Sequence, residues 1–265
     1  MKHVLTIAGV DPSGGAGVLA DVKTFAAHGC YAMGVITAVT SQNTQGVRGY
    51  EDVSPALIAS QIEAVFDDIS VDAVKIGMVS VPETIEAIAA KLEQYKASPV
   101  VVDPVMVATS GDRLLTEKAV ETLKQRLFPL AAVITPNIPE AEVLLDRKIE
   151  TVEEMEQAGK DLHAAYGCAV LVKGGHRIED ATDVLFDGIA VHHFSGRRSD
   201  SKNTHGTGCS LSSAIAANLA NGKSLAEAVK EGKEYVYRGI VNSETIGHGH
   251  GPIHHFYDLY QKAGI

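Results

Sequence analysis

Short apolar runs alternate with longer amphipathic segments along this chain. Six runs are rich in β-branched residues and almost continuously apolar: "HVLTIAG" (3–9), "MGVITAVTS" (33–41), "DAVKIG" (72–77), "PVVVD" (99–103), "AAVIT" (131–135) and "AVLVKG" (169–174). Continuous runs of this kind, rather than alternating ones, are typical of parallel strands that are covered on both faces. The pattern therefore predicts six buried parallel strands.

Between these runs, apolar residues recur at helical spacing. Val18, Val22 and Phe25 lie at i, i+4 and i+7, and similar periodicity marks 57–65, 85–92 and 120–127. The repeated order of strand, helix and strand predicts right-handed crossovers and a doubly wound α/β sheet. No linker, low-complexity segment or internal repeat divides the sequence, so we expect one domain over residues 1–265.

The last third of the chain departs from this alternation. Two short runs, "DVLFDG" (183–188) and "AVHHFS" (190–195), straddle Asp187 and Gly188, and an Asp-Gly pair between such runs favours a hairpin. We therefore expect a small antiparallel edge on the sheet. Residues 207–221 and 225–242 then predict two helices.

Composition and charge narrow the function. The chain has 265 residues, 45% of them hydrophobic, which is enough for a substantial core, and its net charge of -10 without a long basic block disfavours nucleic acid as the main partner. There is no secretory apolar segment and no run of about 18 apolar residues, so neither export nor a membrane is expected. Three widely spaced cysteines, Cys30, Cys168 and Cys209, argue against a disulfide framework or a zinc site and fit a reducing cytoplasm.

Ligands of open α/β sheets bind outside the carboxyl ends of the strands. Polar residues and glycines follow every predicted parallel strand, in chain order Gly9 with Asp11, Gln42 with Asn43, Gly77 with Met78, Asp103, Asn137 with Glu140, and Lys173 with Gly174 and Gly175. We therefore expect the functional site at this edge of the sheet.

The stretch "HGTGC" (205–209) joins a glycine turn to a predicted helix. Its glycines can adopt positive φ and direct backbone N–H groups inward, and the helix places its positive end at the same point. The stretch predicts an anion hole suited to a phosphoryl group in transfer. A plain glycine-rich helix start is the alternative interpretation.

Cys209 lies in the first turn of that helix, where the helix dipole favours a thiolate. The thiolate could act as a base toward a substrate hydroxyl or as a nucleophile. His205 is close in sequence, so a Cys/His acyl-transfer site is an open alternative. Against it, no third residue that would orient the histidine is evident, and His205 also fits a solvated loop residue.

The segment "TPNIPEAEVL" (135–144) places Asn137 and Glu140 three residues apart, on one side of a first helical turn. Their oxygens suit Mg²⁺, directly or through its waters. An ordinary helix cap with Glu140 as its partner explains the same pair. Asp103, at the end of another strand, supplies a second carboxylate and favours the metal site.

Five segments together carry a family resemblance: "TIAGVDPSGGAGVLADVKTF" (6–25), "VDPVMVATSGDRLL" (102–115), "ITPNIPEAEVL" (134–144), "VLVKGGH" (170–176) and "NTHGTGCSLSSAIAANL" (203–219). In this order they resemble the hydroxymethylpyrimidine/phosphomethylpyrimidine kinase family of thiamine biosynthesis, within the ribokinase-like superfamily. The resemblance implies a three-layer α/β/α sandwich with a mostly parallel central sheet, which phosphorylates 4-amino-5-hydroxymethyl-2-methylpyrimidine and then its monophosphate with MgATP. It also implies a homodimer.

The resemblance assigns roles to individual residues. Cys209 takes the place of the aspartate base of most ribokinase-like enzymes, and Gly206, Thr207 and Gly208 form the anion hole. The remaining assignments are Asp103, Asn137 and Glu140 near Mg²⁺, Lys173, Asn137 and Thr204 near the nucleotide, and Gly9, Asp21, Gln42 and Met78 around the pyrimidine. Asp21 stands in "LADV", where the family commonly has Gln-Ala-Asp-Leu, and a solvated position on a helix is its alternative interpretation.

Gln42 bears on the choice of substrate. A side-chain amide offers a donor and an acceptor, which match the amino group and ring nitrogen of an aminopyrimidine. A loop residue that caps a backbone group is the alternative for Gln42. Pyridoxal kinase of the same branch is the alternative enzyme, and a non-catalytic pyrimidine-sensing module is a further alternative.

Two other segments carry expectations. The histidines of "HGHGPIHH" (248–255) lack the helical spacing of a zinc site, which disfavours a functional metal there. The family resemblance includes a similar tail near the active-site end of the sheet and implies a structural or substrate-gating role for it. Ser110, Gly111 and Asp112 form a turn-like segment that is a candidate flap over the site.

Overall fold

In the computed structural model, which describes residues 1–106, 115–175, 181–197 and 199–265, the strands form one sheet. The strands of the described ranges are β1 (His3–Val10), β2 (Tyr31–Asn43), β3 (Gly46–Asp52), β4 (Ala73–Ile76), β5 (Val100–Val102), β6 (Val133–Ile134), β7 (Ala169–Val172), β8 (Asp183–Phe186) and β9 (Val191–Phe194). Their order across the sheet is β3-β2-β1-β4-β5-β6-β7-β8-β9. The six neighbouring strands β2, β1, β4, β5, β6 and β7 are parallel, while β3, β8 and β9 extend the two edges through antiparallel pairs.

Helices cover both faces of this sheet. The helices of the described ranges are α1 (Gly17–Ala27), α2 (Pro55–Phe66), α3 (Pro82–Tyr95), α4 (Glu117–Arg126), α5 (Ile138–Leu145), α6 (Val152–Tyr166), α7 (Thr207–Ala220), α8 (Leu225–Val241) and α9 (Tyr257–Ala263), with a short 3-10 helix at Phe128–Leu130. One core cluster joins the sheet to α2, α3, α4, α5 and α6, and the other joins it to α1, α7 and α8. The predicted three-layer α/β/α sandwich is confirmed.

Single strands feed both core clusters because successive side chains of a strand point to opposite faces. In β1, Val4 belongs to the cluster with α7, whereas Leu5 and Ile7 belong to the cluster with α2. Both faces of the parallel strands are therefore apolar, which explains their continuous rather than alternating sequence pattern.

The predicted strands and the hairpin at Asp187 and Gly188 are confirmed, and so are the two late helices. The sequence pattern did not predict β3, because its residues "GVRGYED" are mostly exposed and carry little apolar signal. The candidate flap at Ser110, Gly111 and Asp112 lies outside the described residues. None of the described helices combines the length and apolar character that a membrane crossing requires.

The C-terminal segment packs back against the turn between β2 and β3. Thr44 in that turn accepts hydrogen bonds from the backbone N–H of His250 (2.9 Å, to its carbonyl) and of Gly249 (3.2 Å, to Oγ1). Asn203 secures the start of the same segment, since its Nδ2 donates to the Ser243 hydroxyl at 3.0 Å and to the Glu244 carbonyl at 3.1 Å. The segment thus fixes the far end of β2, close to Gln42.

Candidate active site

The strand order reverses between β1 and β4, because the chain passes from β1 to β2 on one side and later returns to β4 on the other. Ligands of α/β sheets bind at such a switch point. Gly9 at the end of β1 and Met78 just after β4 flank it, and a Cβ atom built on Gly9 would lie 2.9 Å from the Met78 methyl carbon. The structure therefore brings together, at the predicted edge of the sheet, two residues that are predicted to bind the pyrimidine.

The N-terminus of α7 lies over the same edge. Gly206 is its N-cap residue with φ of 76°, and no side chain caps the helix, whereas Ser54, Thr116, Asn137, Thr151 and Ser224 cap five other helices. A Cβ atom on Gly206 would lie 1.8 Å from the Gly15 carbonyl oxygen, so only glycine fits this turn. Backbone N–H groups of the first turn have no partner inside a helix, so those of Gly208 and Cys209 are available to an anion.

Two buried side chains hold the glycine turn against the loop that precedes α1. Nε2 of His205 lies 2.8 Å from Oδ2 of Asp11. Asp11 also accepts hydrogen bonds from Ser13 and from the backbone N–H groups of Gly15 and Ala16. Burial acts to raise the pKa of Asp11, but the hydrogen bonds from His205 and Ser13 lower it to about 2. The carboxylate is therefore charged and ties the two glycine-rich loops together.

His205 is buried, so its interpretation as a solvated loop residue is wrong. Its Nε2 atom faces Asp11 rather than Cys209, which withdraws that nitrogen from a Cys/His pair. The backbone N–H of His205 donates to the Gly251 carbonyl at 3.0 Å, which also links the turn to the C-terminal segment. The geometry favours a positioning role over acyl transfer.

Lys173 and Asp103 form an ion pair that is open on one side. Nζ of Lys173 donates to Oδ1 of Asp103 at 2.9 Å, and the lysine side chain keeps 14% of its surface exposed. Thr135 and Ser212 donate to the two oxygens of the same carboxylate at 3.1 and 3.3 Å. A Cβ atom on Gly208 would lie 3.4 Å from the Lys173 ammonium. The pair therefore lies directly beside the anion-binding turn.

The charges of this pair stabilise each other. Burial acts to raise the pKa of Asp103, but Lys173 and then Lys75 lower it. Burial acts to lower the pKa of Lys173, but Asp103 and then Glu140 raise it. Both groups are therefore ionised at neutral pH, and Lys173 presents a permanent positive charge at the mouth of α7.

A second ion pair, Lys75 with Asp21, is sealed. Both side chains are fully buried, and Nζ of Lys75 donates to the two Asp21 oxygens at 3.0 and 2.9 Å. Thr6 and Ser213 donate to the same carboxylate at 2.6 and 2.7 Å. The interpretation of Asp21 as a solvated helix residue is wrong. Its contact with the pyrimidine stays a prediction, and in this structure the carboxylate has no exposed surface for it.

Cys209 lies in the first turn of α7, as predicted, and is partly buried. Ser212 and Ser213 follow it at i+3 and i+4 and carry the hydrogen bonds to Asp103 and Asp21, so this face of α7 points toward both ion pairs. Burial raises the pKa of Cys209, although Lys75 and a backbone hydrogen bond from Gly17 act to lower it. Desolvation therefore opposes the thiolate that the helix end favours, and the role of Cys209 as a base stays a prediction.

Asn137 and Glu140 form a complete capping box at the start of α5. Oδ1 of Asn137 accepts from the Glu140 N–H at 2.8 Å, and Oε2 of Glu140 accepts from the Asn137 N–H at 2.8 Å. The helix-cap interpretation is therefore confirmed. Burial raises the pKa of Glu140, with Lys173 acting against it. The carboxylate thus lies near the Lys173–Asp103 pair while it serves as a cap.

Gln42 lies near the end of β2 and is partly buried. Its Oε1 atom lies 3.2 Å from Thr40 Oγ1, and the Thr40 hydroxyl donates its hydrogen to the Val10 carbonyl at 3.0 Å. Thr40 therefore links the Gln42 side chain to the end of β1. Thr204 is exposed, and its carbonyl accepts from the Thr207 hydroxyl at 3.1 Å.

The C-terminal histidines are spread over different environments. His248 and His250 are exposed, whereas His255 is buried, with its Nε2 atom 3.2 Å from the hydroxyl of Ser210 in α7. Burial lowers the pKa of His255 to about 3, so this ring is neutral. Within the described ranges, no three His, Cys, Asp or Glu side chains are grouped to hold a metal on their own.

Comparisons with known proteins decide the family. The family model for phosphomethylpyrimidine kinase matches residues 11–254. The chain belongs to the phosphomethylpyrimidine kinase family. The hydroxymethylpyrimidine/phosphomethylpyrimidine kinase of Rhizobium meliloti is 50% identical over 257 residues, which cover 96% of each chain.

Two further relatives frame this family assignment. The thiamine biosynthesis bifunctional protein ThiED of Geobacter sulfurreducens is 52% identical over 253 residues, which are 95% of this chain and 52% of that protein. Among solved structures, an ADP complex of Bacillus subtilis pyridoxal kinase superposes with a TM-score of 0.89 at 36% identity, over 96% of this chain and 97% of that one.

In this phosphomethylpyrimidine kinase family member, sequence analysis missed Lys75, Ser212 and Ser213 as site residues. Lys75 is the one charged residue within the apolar run "AVKI" of β4, and a lysine inside a buried strand must have a buried partner. That signal was available in the sequence. The two serines carried a weaker signal, as polar residues on the apolar face of a helix.

Proposed function

We propose that the protein transfers the γ-phosphoryl group of ATP to 4-amino-5-hydroxymethyl-2-methylpyrimidine, and then to its monophosphate, in thiamine biosynthesis. One observation carries this proposal: the uncapped N-terminus of α7 lies beside the open Lys173–Asp103 pair at the carboxyl ends of the parallel strands. Backbone N–H groups and a lysine in one place suit the charge that spreads over a phosphoryl group in transfer.

Different residues act on the phosphoryl donor and on the pyrimidine. Gly206, Thr207, Gly208 and Lys173 stabilise the charge on the transferring phosphoryl group. Cys209 accepts the proton of the substrate hydroxyl, with Gly9 and Met78 beside it at the acceptor side. Gln42 forms hydrogen bonds with the amino group and ring nitrogen of the pyrimidine, and its contact with Thr40 at the end of β2 supports this role.

The side-chain oxygens near Lys173 are suited to bind Mg²⁺. Asp103 after β5 and Glu140 in the first turn of α5 are buried carboxylates, and carboxylates together with nucleotide phosphates are the usual ligands of Mg²⁺. Because Oε2 and Oδ1 of the capping box are occupied, Glu140 and Asn137 fit an ion that is held through water. The ion would neutralise charge on the ATP phosphates, and Thr204 would contact the nucleotide.

Replacement of Cys209 by alanine tests the base role. We expect kcat to fall about 100-fold or more, since general-base groups contribute at least that much, while the Kd of the pyrimidine changes little. ADP release with each substrate measures the rate, and calorimetry measures binding. Cys30→Ala is the matched control, because Cys30 is a buried thiol outside the site. Unchanged turnover in C209A would remove Cys209 from the mechanism.

Pyridoxal kinase is the second candidate, and the likeness to the Bacillus subtilis enzyme favours it. The two activities are separated by kcat/KM for the pyrimidine and for pyridoxal in one ADP-release assay. We expect a higher value for the pyrimidine, and we expect Gln42→Leu to reduce it while it affects pyridoxal less. A higher kcat/KM for pyridoxal would reverse the order of the two candidates.

We further propose that residues 1–265 act as one kinase domain, that the enzyme is a homodimer, and that it works in the cytoplasm. A single continuous sheet supports the first statement. Free thiols at Cys30, Cys168 and Cys209, together with ATP as the donor, support the third. Light scattering of the purified protein measures the oligomeric state.

A further inference from the structure

Lys75 lies beneath the active-site end of α7 although it comes from the middle of a buried strand. Its ammonium rises toward the carboxyl end of β4, since a Cβ atom on Gly77 would lie 2.8 Å from Nζ. The Asp21 carboxylate that binds this ammonium also accepts from Ser213, one turn after Cys209 on the same face of α7. The lysine is thus fixed below the thiol through α1 and α7 together.

A buried ion pair of this kind is not explained by stability alone. Removing two charges from water costs about as much free energy as their attraction returns, so well-packed apolar residues serve a core equally well. The Lys75–Asp21 pair is fully buried on the face of the sheet that α1 and α7 cover. Its position below Cys209, rather than elsewhere in the sheet, points to an electrostatic role.

We propose that Lys75 is a positioning residue for phosphoryl transfer: its buried ammonium, held by Asp21, favours the Cys209 thiolate that accepts the substrate proton. This inference rests on the proposed function. In the transfer, the substrate hydroxyl oxygen bonds to the γ-phosphorus, the bond from that phosphorus to the bridging oxygen breaks, and ADP leaves with the electron pair. The hydroxyl proton passes to the Cys209 thiolate.

Charged groups from several elements act on Cys209. Lys75 on β4 and Lys173 after β7 are positive, while Asp21 on α1 and Asp103 after β5 are negative. Burial raises the pKa of Cys209, Lys75 acts to lower this pKa, and Asp21 acts to raise it further. The two members of the sealed pair therefore act on the thiol in opposite directions, and this opposition provides the test.

The experiment measures the pKa of Cys209 from the pH dependence of its alkylation by iodoacetamide, with mass spectrometry of the peptide that carries it. Lys75→Met removes the positive charge and raises this pKa by about 1 unit or more, and Asp21→Asn removes the negative charge and lowers it. The Cys209 pKa of the double variant K75M/D21N should lie between those of the two single variants. Met is close in volume to Lys, and Asn to Asp, and thermal unfolding and circular dichroism identify the variants that remain folded.

A purely structural ion pair gives a different result. Loss of either partner would then loosen the same contact, so K75M and D21N would shift the pKa in the same direction or not at all, and either outcome overturns the proposal. If K75M does not fold, D21N and the double variant still decide the sign. In the pH profile of kcat, the acidic limb of K75M should lie at higher pH than that of wild type.

The alkylation assay contains no substrate, so it separates this inference from the proposed function. Opposite shifts in K75M and D21N with unchanged turnover in C209A would retain the coupling of Lys75 to the thiol but overturn its role in the reaction. Shifts of the same sign in K75M and D21N, with a large loss of turnover in C209A, would overturn the role of Lys75 and retain Cys209 as the base. The predicted result is opposite shifts together with loss of turnover.

Discussion

The two ion pairs under α7 have the same chemistry and different surroundings. Lys75 and Asp21 have no exposed surface and fill each other's hydrogen-bonding positions with help from Thr6 and Ser213. Lys173 keeps part of its side chain exposed beside Gly208, although it also binds a buried aspartate. The sealed pair can act on a ligand only through its field, whereas the open pair can contact one directly.

This difference teaches where each kind of charge is useful. A lysine that must bind phosphate has to keep donors free, so it lies after a strand, at the edge of the sheet. A lysine that acts through its field can lie within the strand, because its partner aspartate satisfies its donors permanently. The distinction leads to three tests, of which the first has the largest expected effect.

Separate removal of the two ammonium groups should differ in its main effect: loss of Lys75 should cost more stability, and loss of Lys173 should cost more turnover at neutral pH. Lys75→Met leaves Asp21 buried without a cation, so we expect a loss of about 3–5 kcal/mol in the free energy of unfolding. Lys173→Met removes a donor at the transferring phosphate, so we expect kcat/KM for ATP to fall about 100-fold or more with a smaller loss of stability. Urea unfolding and ADP release measure the two quantities.

Lys91→Met is the control for this first test, because Lys91 pairs with Glu63 at the surface. Surface pairs contribute about 1 kcal/mol or less, so both stability and turnover should stay close to wild type. If K75M and K173M lose stability and turnover in equal proportion, the distinction between a sealed and an open pair is not a functional one.

The glycine turn that lies beside the open pair provides the second test. Gly206 and Gly222 flank α7 with φ of 76° and 85°, but a Cβ atom would lie 1.8 Å from a carbonyl oxygen only at Gly206, and it would meet nothing within 4 Å at Gly222. Gly222→Ala should therefore cost about 1 kcal/mol of stability from backbone strain alone. Gly206→Ala should cost at least twice as much and also reduce turnover.

Calorimetric unfolding and steady-state rates of these two variants provide the comparison. The pair is matched, since both substitutions add one methyl group at a left-handed residue next to the same helix. Equal losses in the two variants would show that contact between the glycine turn and the loop before α1 contributes nothing beyond backbone strain.

The third test concerns Asp11, a buried carboxylate whose partner is a histidine rather than a lysine. Its folded-state pKa of about 2 lies below the unfolded value near 4, so the carboxylate stabilises the fold above pH 4 and loses this contribution as the pH falls toward 2. The shift corresponds to about 2 kcal/mol. The difference in unfolding free energy between wild type and Asp11→Asn, measured by urea titration, should shrink over this range. A difference independent of pH would contradict the assignment.

Much of this architecture could be predicted because it follows from local patterns. Continuous apolar runs identified the parallel strands, and the polar residues after them identified Asp103, Lys173 and Asn137 at one edge. Lys75 was missed because strand-end reasoning passes over the middle of a strand, where a single charge among apolar neighbours is itself informative.

Other features depended on long-range contacts that no local pattern contains. The sequence "HGTGC" indicated an activated thiol, but the protonation of Cys209 depends on how deeply α7 packs over the sheet. Likewise, the pairing of His205 with Asp11 joins residues 194 positions apart. Strand β3 carried little apolar signal because it lies at an exposed edge.

The return of the C-terminal segment to the turn at Thr44 has a consequence for synthesis on the ribosome. Loops of this length close slowly, and an early part of the chain cannot make contacts with a part that does not yet exist. Asp11, Asp21 and Thr44 emerge first, but their partners His205, Ser213 and His250 follow about 200 residues later. In a nascent chain, the contacts that hold the glycine turn and the buried Asp21 can therefore form only after the last third of the chain has emerged.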